Sequence, residues 1–150
     1  MTVVECVVSE AEAQARHGNY KRDALTLTFE DRRLGHGRRR SDSGLDFAIS
    51  LPSGTLLKGG DCLVLPDEQT VVKVQEAFEA VYIVHPRTPR EWAYYAYHAG
   101  NRHQLVMITD TELIFLQSPA VRSLLEQLQV AFDTGKRPFT AALVNVGHSY

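Results

Sequence analysis

Residues 78–103 read FEAVYIVHPRTPREWAYYAYHAGNRH, and the change of pattern inside this stretch decides the fold. Phe78 to Val84 is a short apolar run suited to a strand, and the polar turn His85-Pro86-Arg87 ends it. Thr88 then stands as a helix N-cap. Pro89 suits the first helical position because its missing N–H would be unpaired there, and Glu91 completes a capping-box spacing. Trp92, Tyr95, Ala96 and Ala99 fall on one helical face, and Gly100-Asn101 is the expected stop.

Downstream, Gln104 to Ile108 and Glu112 to Leu116 read as a hairpin joined by Thr109-Asp110-Thr111. Ser118-Pro119 starts a second helix, in which Val121, Leu124, Leu125 and Leu128 occupy positions i, i+3, i+4 and i+7. Phe139 to Val146 supplies a last strand. The order βαββαβ predicts a ferredoxin-like α+β domain over residues 78–146, followed by a flexible tail at 147–150.

Upstream the periodicity is shorter. Apolar segments at Thr2 to Val8, Ala24 to Phe29, Gly44 to Ile49, Cys62 to Leu65 and Val71 to Ala77 alternate with turns such as Pro52-Ser53-Gly54 and Lys58-Gly59-Gly60-Asp61. Helical spacing is weak there, so residues 1–77 are expected to form an all-β module, a small barrel or sandwich suited to docking a protein or peptide. Two subdomains of this size have little core each, which favours a dimer.

The chain has 150 residues and a formal charge of -2, so no overall positive field draws it to nucleic acid or membrane. Cys6 and Cys62 form no CxxC pair, which argues against a cysteine metal knuckle. Neither a signal pattern nor an apolar run near the roughly 20 residues needed to span a bilayer is present, and the expected location is the cytoplasm. With no His-Glu-x-x-His helix and no nucleophile elbow, a carrier or adaptor is expected rather than an enzyme.

Chemistry concentrates in Tyr97-His98-Ala99-Gly100-Asn101-Arg102-His103. His98 and His103 would point about 140° apart on a continuous helix, so they do not chelate as a pair. A glycine break redirects the later residue, which makes one His103 per subunit a candidate ligand at a symmetry axis; capping, surface and core roles stay open for the same side chain. His98 has Tyr94 and Tyr95 as structural neighbours, and His17, His36 and His85 read as isolated imidazoles. The run from Arg32 to Arg40 carries five arginines in nine residues. It lacks interleaved aromatics and has Glu30, Asp31 and Asp42 nearby, so a solvated turn or protein-docking patch outweighs nucleic-acid binding.

Four ordered segments, Arg38-Arg39-Arg40, Ser43-Gly44-Leu45-Asp46-Phe47, Leu57-Lys58-Gly59-Gly60-Asp61 and the stretch from Tyr97 to His103, resemble the UreE family of urease accessory metallochaperones across nearly the whole chain. The resemblance implies an amino-terminal module similar to a chaperone peptide-binding domain and a ferredoxin-like domain that forms a homodimer. It implies that His103 meets its symmetry mate around nickel, with His148 as an auxiliary ligand, Zn2+ or Cu2+ as competitors, and a metal-bridged higher oligomer as a further assembly. It also implies cooperation with the urease accessory GTPase and the urease apoprotein. Two departures stand out: the histidine-rich tail of other members is missing, and Asp110 and Glu112 occupy the place of a His-x-His pair. The rival expectation is a metal-independent protein- or peptide-binding adaptor.

Overall fold

The computed structural model describes residues 1–144. These divide into two units, Met1–Ala77 and Phe78–Val144.

In the first unit, β1 (Val3–Val4), α1 (Glu10–His17), β2 (Lys21–Leu27), α2 (Phe29–Arg33), β3 (His36–Arg40), β4 (Asp46–Ser50), β5 (Cys62–Leu65) and β6 (Thr70–Glu76) follow in order. They form two three-stranded sheets, β1-β4-β3 and β2-β6-β5. The alternation of β4 puts Phe47 and Ile49 inward and Asp46, Ala48 and Ser50 outward. Phe47 and Ile49 join Leu25, Leu27, Leu63 and Val72 in a single apolar core. The β2-β6-β5 sheet is covered on its other side as well, where Ala13 of α1 meets Cys62 and Val71. Burial on both faces explains why Cys62 to Leu65 and Val71-Val72 are unbroken apolar runs rather than alternating ones.

The module is therefore β-rich but not all-β, which corrects the reading from periodicity. Helix α1 is built on alanine, with Ala13 as its buried residue, so no stripe of large apolar side chains announces it. Its signal was the cap: Ser9 accepts from the Glu12 N–H at 3.1 Å, a Ser-x-x-Glu start. Thr28 does the same for α2 through the Asp31 N–H at 3.2 Å. Strand β3, His-Gly-Arg-Arg-Arg, has no apolar residue and follows no β pattern in sequence; it exists because it pairs antiparallel with β4 along its length.

In the second unit, β7 (Phe78–Val84), α3 (Pro89–Asn101), β8 (Met107–Ile108), β9 (Leu113–Leu116), α4 (Pro119–Gln127) and β10 (Asp133–Pro138) make one sheet in the order β10-β7-β9-β8. Every neighbouring pair is antiparallel. Tyr82, Val84, Leu113 and Phe115 pack on Ala99 of α3 and on Val121, Leu124 and Leu125 of α4. The last strand lies earlier than its expected place at Phe139 to Val146. Asp133–Pro138 is polar because it is an edge strand, whereas the apolar residues after it leave the sheet edge: Phe139 is fully buried, and the Ala142 N–H donates to the Val106 carbonyl at 2.7 Å, beside the opposite edge. The tail expected at 147–150 lies outside the described residues.

The arginine run separates into different environments. Arg32 is 1% exposed, with its guanidinium donating to the Leu57 carbonyl at 3.3 Å, paired with Glu76 at 3.6 Å and set over the Phe29 ring at 5.5 Å. Arg38 and Arg40 lie exposed on β3. Arg32→Ala is expected to cost about 3 kcal/mol in urea unfolding, because it empties a buried site beside Phe29 and removes the cation facing Glu76 Oε1, leaving that carboxylate with the Gly59 N–H. Arg38→Ala is expected to change stability by less than about 0.5 kcal/mol.

Candidate metal centre

Helix α3 is fixed at its start by the Glu91 N–H donating to Thr88 Oγ1 at 3.1 Å, with Glu91 Oε1 accepting from the Arg87 N–H at 2.9 Å. Its end is a six-residue reversal. The Gln104 N–H donates to the Ala99 carbonyl at 2.9 Å and the His103 N–H to the Gly100 carbonyl at 3.0 Å, the two bonds of a Schellman turn. Such a turn needs one left-handed residue, ordinarily glycine. Here it is His103, at φ 57°, while Gly100 lies inside the helix. The break thus falls three residues later than the glycine suggests. Arg102, just before the reversal, hydrogen-bonds to Gln127 at the end of α4 and holds the corner against the body of the unit.

The corner carries the His103 side chain out into solvent. Among the described residues it has no hydrogen-bond or ion-pair partner, so it is not a core histidine, and the capping there is done by its backbone. The other described imidazoles all have company. His98 stacks edge-on against Tyr94 at 4.6 Å and Tyr97 at 5.1 Å. His85 Nε2 lies 3.4 Å from Asp133, His17 stacks on Tyr20 at 4.6 Å, and His36 Nδ1 lies 3.3 Å from Ser50 Oγ. His148 is outside the described residues.

No group of three or more potential metal-ligating side chains converges among the described residues. Glu112 is already engaged, its carboxylate gripped by Arg137 at 2.6 and 3.0 Å, and that guanidinium holds its carboxyl below the usual range. Cys62 is buried and gives its thiol hydrogen to Glu10 Oε2 at 3.3 Å; burial and the Glu10 carboxylate push the thiol up to about 11, so it does not supply a thiolate. Among the described residues, the imidazole left without a partner is the outward one of His103 at this corner. Tyr94, Tyr97 and Ile108, all at least half exposed, surround that corner in sequence.

These features define a two-module protein whose chemistry is carried on its surface. Residues 4–75 match the UreE urease accessory protein N-terminal domain, and residues 79–149 match the UreE urease accessory protein C-terminal domain. Among relatives, each named urease accessory protein UreE, that of Burkholderia vietnamiensis is 35% identical over 128 residues, 84% of this chain and 64% of its own length. That of Paraburkholderia xenovorans is 36% identical over 115 residues, 77% and 51% respectively. That of Nostoc punctiforme is 32% identical over 126 residues, 84% of this chain and 85% of its own. The chain belongs to the UreE family, and it spans less than two thirds of the length of the first two of these relatives.

Two measurements check this geometry. His103→Gly relieves a left-handed histidine and is expected to stabilise the protein by about 0.5–1 kcal/mol in chemical denaturation, whereas His103→Val is expected to destabilise it. Titration of the native protein with a thiol reagent at neutral pH is expected to consume exposed Cys6 quickly and Cys62 only after denaturant is added.

Proposed function

We propose that this chain is a cytoplasmic nickel carrier for urease assembly, acting by carriage rather than by turnover, as a homodimer that brings two His103 side chains to one ion. The observation that carries this reading is the unpartnered His103 imidazole held on a left-handed corner. Gln69, His103 and Gln129 are the non-glycine residues in that conformation among the described ones, and of these His103 alone has a side chain that ligates divalent metals well. Family membership supplies the link to urease. Among the described residues no helix is long and apolar enough to cross a membrane.

Residues 78–146 are read as the ferredoxin-like metal-binding and dimerisation domain. The strand order β10-β7-β9-β8 and the antiparallel pairing of all its neighbours support that assignment. Exposed Tyr94, Tyr97 and Ile108 supply apolar area for a second copy. Residues 1–77 are read as the module that docks proteins, with the urease accessory GTPase and the urease apoprotein as partners. His148 is read as a secondary ligand; it lies outside the described residues.

Two His103 and one or two His148 give three or four nitrogen ligands, with water completing the shell. An incomplete set suits release to a partner better than a closed four-ligand site does. Imidazole ligands alone do not choose nickel over copper, and Zn2+ and Cu2+ compete for the same atoms.

Calorimetric nickel titration with particle mass by light scattering tests the reading. The expected result is a fractional nickel-to-protomer ratio that collapses in His103→Gly and falls less in His148→Ala, with nickel-dependent urease activation lost alongside. Because His103→Gly is expected to be the more stable protein, that loss is not a folding effect. Wild-type stoichiometry and activation retained in His103→Gly would overturn the assignment and favour a metal-independent adaptor.

A further inference from the structure

Strand β3 is the outer strand of the β1-β4-β3 sheet, and its second edge pairs with no strand among the described residues. Two bonds beside the strand show which groups lie on that edge. The Leu51 N–H donates to the Gly35 carbonyl and the Ser41 N–H to the Leu45 carbonyl. In an antiparallel ladder this alternation turns the peptide groups of Gly37 and Arg39 toward β4 and those of His36, Arg38 and Arg40 outward.

Side chains follow the same period. Arg39 lies opposite buried Phe47, while His36, Arg38 and Arg40 lie opposite Ser50, Ala48 and Asp46 on the outer face. The residues with outward peptide groups are thus the ones with basic side chains on the outer face. Arg40 is held by Asp46 at 3.0 Å, and Arg39 Nη1 covers the Arg38 carbonyl at 2.8 Å. Among the described residues no acid lies within ion-pair distance of the Arg38 guanidinium, which acts on Asp46 only from farther away, and the N–H groups of Arg38 and Arg40 face away from the ladder.

We propose that this edge takes an acidic, extended segment of a protein partner, added as a further strand with its carboxylates at alternate positions. A strand laid beside β3 puts every second side chain next to His36, Arg38 and Arg40, where opposite charges attract across the pair. The same charges reject a second copy of β3, so the edge discriminates by sign as well as by shape. Exposed aromatic rings for stacking nucleic-acid bases are absent from this strand, which favours a protein segment over a nucleic acid. The inference rests on the reading of residues 1–77 as the docking module and names the chemistry of what docks.

Amide exchange by NMR on the full-length chain tests it with an acetylated, amidated heptapeptide, Thr-Asp-Val-Asp-Val-Asp-Thr. At saturation the Arg38 and Arg40 amides are expected to slow by about tenfold or more, with the already paired Gly37 and Arg39 amides little changed. Arg38→Glu is expected to weaken peptide binding about tenfold or more, and Arg38→Gln less, with the urea midpoint of both unchanged. Equal binding by a peptide with its three aspartates in one block, or equal protection by a single-stranded oligonucleotide, overturns the proposal. So does an unchanged exchange rate at Arg38 and Arg40.

A second arm repeats the exchange with purified urease accessory GTPase and urease apoprotein. Protection at residues 36–40 that Arg38→Glu removes supports the edge. Protection elsewhere in residues 1–77 but not there overturns the edge and leaves the docking reading standing. No protection anywhere in residues 1–77 overturns both.

Discussion

The second unit depends on one hydrogen bond, from the Gln104 N–H back to the Ala99 carbonyl. A helix that stops leaves carbonyls without donors, and at the end of α3 the chain supplies donors by turning sharply back on itself. That reversal aims the chain into β8, β8 pairs with β9, and β9 lies against β7. The direction in which the chain leaves α3 and the place of His103 are therefore set at one corner, while Tyr82, Val84, Leu113 and Phe115, packed on the two helices, hold the sheet itself. The corner has a histidine where the backbone would rather have glycine.

Much of the second unit was legible because its signals are local. Thr88-Pro89 and Ser118-Pro119 mark helix starts chemically, and Val121, Leu124, Leu125 and Leu128 mark the buried face of α4 whatever surrounds it. The errors came where burial is decided by distant parts of the chain. Phe139 reads as strand because it is apolar, but it is apolar through being fully buried beyond the end of β10. Strand β10 carries Asp133, Lys136 and Arg137 and reads as loop, since an edge strand exposed on one side needs no apolar pattern. Helix α1 was hidden by alanine, whose helix preference leaves no stripe of large residues.

Of the candidate site, the sequence offered a residue but not its backbone conformation. His103 could be singled out through its company in the Gly-Asn-Arg-His segment, but its φ of 57° could not, since glycine is the usual mark of a left-handed residue and Gly100 stood as a decoy three positions earlier. The arginine run teaches the same lesson. Five identical side chains look like one patch, yet Arg32 is a core residue, Arg39 fastens the loop before β3 through the Leu34 carbonyl at 2.9 Å, and Arg38 is left to meet whatever arrives. Only the three-dimensional pairing assigns these parts.

Parallel pairing in the first unit sets the order in which the protein can be made. Strand β2 needs β6, with Lys21 opposite Thr70 and Leu27 opposite Glu76, so its partner is about fifty residues away along the chain. At ribosomal speeds of roughly 5–20 residues per second, β2 waits several seconds for β6 to be synthesised. During that wait the apolar face of Leu25 and Leu27 has no sheet to join. The second unit waits as long, because β7 pairs with β10 from Ile83–Asp133 to Phe78–Pro138, about fifty to sixty residues away along the chain, and its β8-β9 hairpin is the part that closes at once. Both halves thus hold an apolar strand without its partner while the chain lengthens, and that interval is when a nascent chain has most need of a holding chaperone.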